Sequence, residues 1–169
     1  MTDRPLILLD VDGVINDLHR LYGGSRPWRT DVVRSHGYDI CIPDYMPGLI
    51  QHLMSLGEVR WCTTWRHRAN DEIAAHLGIG RLEVVDDGSG ARSVDWKAEA
   101  AYELAADALR AGRRVYWIED FYGRPPVDEM PDGVVFVDTT ARDDRVLLPD
   151  HLPAGLSCPD IGAVGGQAA

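Results

Sequence analysis

Hydrophobic positions along this chain follow two alternating rhythms. Leu6-Ile7-Leu8-Leu9 is a short unbroken apolar run that ends on Asp10. A run without polar interruption predicts a strand buried on both faces, as in a parallel sheet. Four similar runs follow, Val59 to Cys62, Leu82 to Val85, Val115 to Ile118 and Val134 to Val137. Each is short, rich in β-branched or aromatic residues, and bounded by polar residues or glycine. Between them the apolar spacing lengthens to a helical period. Leu49, Ile50, Leu53 and Met54 make one face, with Pro47 suited to the first helical turn and Gly57 to the stop. Ala69, Ile73 and Leu77 repeat this before Gly78, and Ala101, Leu104, Ala105 and Ala108 do so between Asp95 and Gly112. Alternating strands and helices predict right-handed βαβ units and an α/β three-layer sandwich.

Two stretches carry neither rhythm. Residues 17–45 hold Gly23, Gly24, Pro27, Trp28 and Gly37, and predict a flap, a hairpin being one form, projecting from the end of the first strand. Residues 154–169 are rich in Gly, Ala and Pro and predict a flexible tail, which leaves residues 1–153 as one domain. The full 169 residues suit one domain with a real core.

Charge narrows the classes of function. A formal net charge of −10 repels polyanions and argues against a protein that coats nucleic acid nonspecifically. It leaves room for a phosphorylated small molecule or a nucleic-acid end, because an acid-lined pocket can hold a cation that the phosphate then meets. Of 17 basic residues, Lys97 is the only lysine. Cys41, Cys62 and Cys158 show no metal-like spacing and read as reduced thiols of a cytoplasmic protein. Apolar runs are too short to span a membrane, and the N-terminus has no apolar run of signal type.

The candidate chemistry gathers at predicted strand ends, where ligands bind in open α/β sheets. Asp10 and Asp12 follow the first strand, with Gly13 beside them to relieve crowding. Two carboxylates that close together are costly unless a cation or a shared proton relieves them, and Mg2+ does so with oxygen ligands. Thr63-Thr64 follow the second predicted strand and Glu119-Asp120 the fourth. Lys97 falls in the first turn of the helix that begins near Asp95, where a cation opposes the helix dipole. Each has an ordinary alternative: a turn aspartate, a helix-capping threonine, a solvated acidic turn, a surface lysine. Arg26, Trp28, Arg29 and Arg34 of the flap, and Trp65 and Arg66 after the second strand, could hold a phosphate or stack a base. Their alternatives are core tryptophans and solvated arginines. His67 reads as surface, and Trp61, Trp96 and Trp117 as packing residues.

From about Leu6 to Val137, four segments in this order resemble the motifs of the haloacid dehalogenase-like superfamily. They are Asp10-Val11-Asp12-Gly13-Val14, Thr63, Lys97 and Glu119-Asp120. More narrowly, Asp10 to Asn16, Trp61-Cys62-Thr63-Thr64-Trp65 and Trp117-Ile118-Glu119-Asp120 are similar to a small bacterial and phage branch that includes the phosphatase-like domain of some RNA-repair proteins. The resemblance implies a Rossmann-like five-stranded sheet in the order 3-2-1-4-5. It implies that Asp10 attacks phosphorus and carries an aspartyl-phosphate, that Asp12 is the acid-base, that Thr63 binds a phosphoryl oxygen and that Lys97 neutralises charge. It also implies that Asp10, the Asp12 main-chain carbonyl, Glu119 and Asp120 hold Mg2+, with Asp120 the indispensable acid of the fourth motif. Glu119 departs from the commoner pair of aspartates. The segment between the first two motifs is too short for a large cap, so an open site is expected, closed by the flap, a protein partner or a second copy. The implied activity is a Mg2+-dependent phosphatase acting on a nucleotide, a nucleic-acid terminal phosphate or a small phosphorylated metabolite. Thr64, Trp65, Arg66, Arg29 and Trp28 are the expected substrate contacts. A phosphotransferase and a non-catalytic phosphate-binding module stand as alternatives.

Overall fold

The structure is a computed structural model that describes residues 4–35, 37–89, 95–120, 129–140 and 144–158. Five parallel strands form its sheet. They are β1 (Leu6–Leu9), β4 (Glu58–Trp61), β5 (Glu83–Val84), β6 (Val115–Glu119) and β7 (Val134–Asp138), in the order β5-β4-β1-β6-β7. Numbering these five alone along the chain gives 3-2-1-4-5. β1 sits at the centre and is fully buried, as its unbroken apolar run requires. Leu9 lies opposite Trp61 on one side and Ile118 on the other.

Alternation along β1 divides the core into two. Leu6 and Leu8 face one side, packed with Ala101, Ala105, Ala108 and Trp117. The small alanines let α4 (Asp95–Arg110) lie close to the sheet. Ile7 and Leu9 face the other side, with Leu49, Ile50 and Leu53 of α2 (Met46–Leu56). Pro47 sits in the first turn of α2 and Gly57 ends it. Ala69–Ile73 forms a π-helical turn that runs into α3 (Ala74–His76). Asn70, buried in that turn, accepts from the Trp61 indole at 3.0 Å and pairs with both main-chain groups of Leu82. That contact explains why β5, two residues long where four were expected, begins at Glu83 and not at Leu82. Leu82 bonds to a side chain instead of continuing the ladder.

The predicted flap is a hairpin on a short helix. α1 (Leu18–Leu21) is capped by Asp17, and β2 (Thr30–Ser35) pairs antiparallel with β3 (Tyr38–Pro43). The hairpin is anchored, because Ile40, Cys41 and Ile42 are buried. The first residues of the predicted tail, 154–158, pack against the domain. Leu156 is fully buried, and the His52 ring nitrogen lies 3.0 Å from the Ser157 carbonyl oxygen. The rest of that segment, 159–169, lies outside the described residues. Residues 144–148 form a strap across the flap base. Leu147 N–H donates to the Val14 carbonyl at 2.8 Å, and the Tyr45 hydroxyl donates to the Leu147 carbonyl at 3.0 Å. No helix of the described residues is long and apolar enough to cross a membrane.

Candidate functional site

The sheet register sets the site. Asp10 N–H donates to the Ile118 carbonyl at 3.2 Å, and Cys62 N–H donates to the Leu9 carbonyl at 2.8 Å. One residue past the paired ends, Asp10 is therefore level with Cys62 on one side and Glu119 on the other. Both Asp10 and Glu119 are buried, and so is Asp120.

Lys97 reaches them from the helix layer packed on the sheet. It stands four residues before Ala101 and eight before Ala105, on the apolar face of α4. That face points its ammonium at the sheet end, with only 2% of the residue exposed. Lys97 Nζ lies 3.1 Å from Asp10 Oδ1 and also pairs with Glu119 Oε2. Burial alone would lower the Lys97 pKa, but the Asp10 and Glu119 charges outweigh it and hold the ammonium protonated. Glu119 moves the other way for a carboxyl. Burial first, then the Asp10 charge, push it well above the ordinary carboxyl range against the pull of Lys97. Its Oε2 also accepts from the Trp117 indole at 3.3 Å.

Asp10, Glu119 and Asp120 each offer one carboxylate oxygen, and these atoms lie within 4.8 Å of one another. Three acidic groups share one ammonium, and burial together with this crowding holds Glu119 above its ordinary range. The donor set is oxygen only and buried, which fits a hard divalent cation. Gly13 makes the close approach of Asp120 feasible. Its φ is +72°, and a Cβ there would stand 2.6 Å from the Asp120 Cβ. Thr139 ties the same loops together, since its hydroxyl donates to the Gly13 carbonyl at 2.7 Å.

A cavity of about 540 Å³ opens over these strand ends. Asp10, Asp12, Thr64, Trp65, Lys97 and Asp120 are among its lining residues. Asp12 does not join the acid cluster. Its carboxylate accepts from Asn16 Nδ2 and from the Trp65 indole, each at 2.9 Å. Thr63 is fully buried, and its hydroxyl accepts from the Trp65 main-chain N–H at 3.3 Å; its neighbour Thr64 is the one that lines the cavity.

Four of the expected substrate arginines and one tryptophan lie elsewhere. Arg66 pairs with Asp86 and, at 3.1 Å, with Asp87, its guanidinium 3.7 Å from the centre of the Trp96 ring. Arg26 holds the buried Asp17 at 3.1 Å. Trp28 packs on the core and meets Tyr45 edge to face at 5.5 Å. Arg29 is exposed and outside the cavity lining, and Arg34 is exposed beside Asp39. Local aromatic and basic composition suggested binding, while Arg66 finds its anions 20 and 21 residues along the chain, Arg26 a buried aspartate and Trp28 the core.

Three residues were missed. Asn16 bridges Asp12 and the Cys41 N–H, and its four-residue spacing from Asp12 was the available signal. Arg68 lines the cavity with its guanidinium over the Trp65 ring, 5.0 Å from the centre. Arg145 lines it from the strap, with a left-handed φ of 52° and no ion-pair partner among the described residues. Nothing in the sequence singled out Arg145, because its place depends on the strap crossing back over the flap. No protein-family model, curated protein or solved structure matches the chain.

Proposed function

We propose that this chain is a Mg2+-dependent phosphomonoesterase of the haloacid dehalogenase-like type, working through an aspartyl-phosphate. Its substrate is a nucleotide, a nucleic-acid terminal phosphate or a small phosphorylated metabolite. One observation carries the reading above the rest. A buried carboxylate, Asp10, is braced by a buried ammonium, clustered with Glu119 and Asp120, and open to a cavity.

Asp10, Glu119 and Asp120 would hold Mg2+, which when bound offsets charge on the phosphoryl oxygens and aligns them. Lys97 pins one Asp10 oxygen and adds a fixed positive charge. A carboxylate oxygen of Asp10 attacks phosphorus, and the bond to the leaving oxygen breaks. Asp12 gives that oxygen its proton, then takes one from the water that cleaves the aspartyl-phosphate and releases inorganic phosphate. Glu119 braces Lys97, and Asp120 faces the cavity. Thr64 and Arg68, which line the cavity, would meet phosphoryl oxygens. Three free cysteines, two of them buried, suit a reducing compartment, and we assign the chain to the cytoplasm on that ground.

The test is hydrolysis of an aryl phosphate with Mg2+ present, comparing wild type with Asp10→Asn. Activity should vanish in the variant. Turnover that persists there would remove Asp10 as nucleophile. A wild type that binds phosphate without hydrolysis would favour a binding module instead.

A further inference from the structure

Both oxygens of the Asp12 carboxylate are taken by protein donors. Asn16 Nδ2 donates to Oδ1, and the Trp65 indole Nε1 donates to Oδ2. The donors come from separate loops, one after β1 and one after β4. The orientation of Asn16 is settled by its other end. Its Oδ1 accepts from the Cys41 N–H at 2.9 Å, so its amide nitrogen must face Asp12. Trp65 is held as well, by its N–H to the Thr63 hydroxyl and by the Arg68 guanidinium over its ring.

These donors share a chemical property. An indole N–H donates only, and an amide NH2 does not take up a proton at neutral pH. Neither can exchange a proton with the carboxyl group they hold. The lone pairs they occupy are closed to proton traffic, so any exchange has to use the ones left, on a side chain that lines the cavity together with Trp65.

We infer that Trp65 is a positioning residue for Asp12: its indole N–H fixes which carboxyl lone pair exchanges the proton with the substrate's leaving oxygen. The inference rests on the phosphomonoesterase reading and replaces base stacking as the role of Trp65. In the step concerned, the phosphorus–oxygen bond to the leaving group breaks as the Asp12 proton moves onto that oxygen. An alkoxide cannot leave well without that proton, whereas a nitrophenolate can. Loss of orientation therefore has to depend on the leaving group, and a general loosening of the fold does not.

The variant is Trp65→Phe, which keeps the ring and deletes the donor. With Mg2+ present, kcat/KM should fall about 10- to 100-fold for glycerol 2-phosphate. The fall for 4-nitrophenyl phosphate should be several times smaller. Equal losses on both esters, or none, would overturn the positioning role. A wild type that cleaves neither ester would instead sink the phosphomonoesterase reading and this inference with it. A second measurement reads the contact itself. The chain has five tryptophans, and Trp65→Phe identifies one of their indole N–H resonances by its absence. Asp12→Ala should move that resonance, and one that stays in place would overturn the contact.

Discussion

Lys97 Nζ stands 3.1 Å from Asp10 Oδ1 inside the protein, although one residue belongs to a helix and the other to the end of the central strand. The same ammonium pairs with Glu119, so one side chain offsets two buried carboxylates. Removing it leaves them facing each other without a cation. Lys97→Met should cost about 3–5 kcal/mol of stability, the range for breaking a buried ion pair. Urea denaturation at neutral pH measures this, and a loss below about 1 kcal/mol would show that the carboxylates relax by other means.

Gly13 and Asp120 share a space that has no room for a methyl group. Gly13→Ala places a Cβ 2.6 Å from the Asp120 Cβ and forces alanine into a left-handed φ of +72°. The backbone term alone is about 1–2 kcal/mol. The variant should melt earlier than wild type and bind Mg2+ more weakly, because the easiest relief is for Asp120 to withdraw. Thermal melts with and without Mg2+ separate the two effects.

Mg2+ should raise the melting temperature of the wild type, progressively with concentration. A ligand that binds only the folded state adds about 2.7 kcal/mol at one hundred times its dissociation constant. Asp120→Asn should flatten that rise, since it removes a charge from the cluster. A melting curve indifferent to Mg2+ would count against the metal site.

Arg145 holds a strained backbone and has no ion-pair partner among the described residues to reward it. Arg145→Gly should therefore stabilise the fold by about 1 kcal/mol, because glycine tolerates φ of 52°. It should also raise KM for phosphate esters by about tenfold, with a smaller change in kcat. Arg66 has a similar φ of 51° but is paired to Asp86 and Asp87, so Arg66→Gly should lose stability instead. Two melting curves and one kinetic series test the contrast.

Glu58 supplies a pH signature away from the site. Burial would raise its pKa, but Arg60 and Arg113, the latter 2.7 Å away, outweigh that and lower it. A carboxyl lowered on folding contributes stability above its unfolded pKa and loses it as pH falls through the folded value. Glu58→Gln should therefore destabilise at pH 7 and matter little near about pH 3. Equal effects at both pH values would assign the loss to packing.

The sheet was legible because β1 and β6 are buried on both faces and carry no polar interruption. The strand ends were legible for the same reason, since Asp10 and Glu119 are the first charges after those runs. Long-range pairing was not legible. Arg26 finds Asp17 nine residues back and the Asp144 carbonyl 118 residues on, and no local pattern marks either partner. The ion pairs of Arg66 were not legible for the same reason, because Asp86 and Asp87 meet it only when β5 lies beside β4. Lys97 was singled out by its rarity, but its place on the alanine face of α4 is the stronger physical signal.

The strap from Asp144 to Leu148 gives the C-terminal quarter an unexpected standing. Arg26 donates to Asp144, Leu18 N–H to the Arg145 carbonyl at 3.2 Å, and Tyr45 to Leu147, so three points of the flap hang on it. Shortening the chain to the last strand, as a domain boundary drawn after Asp138 would suggest, cuts the doorframe from its door.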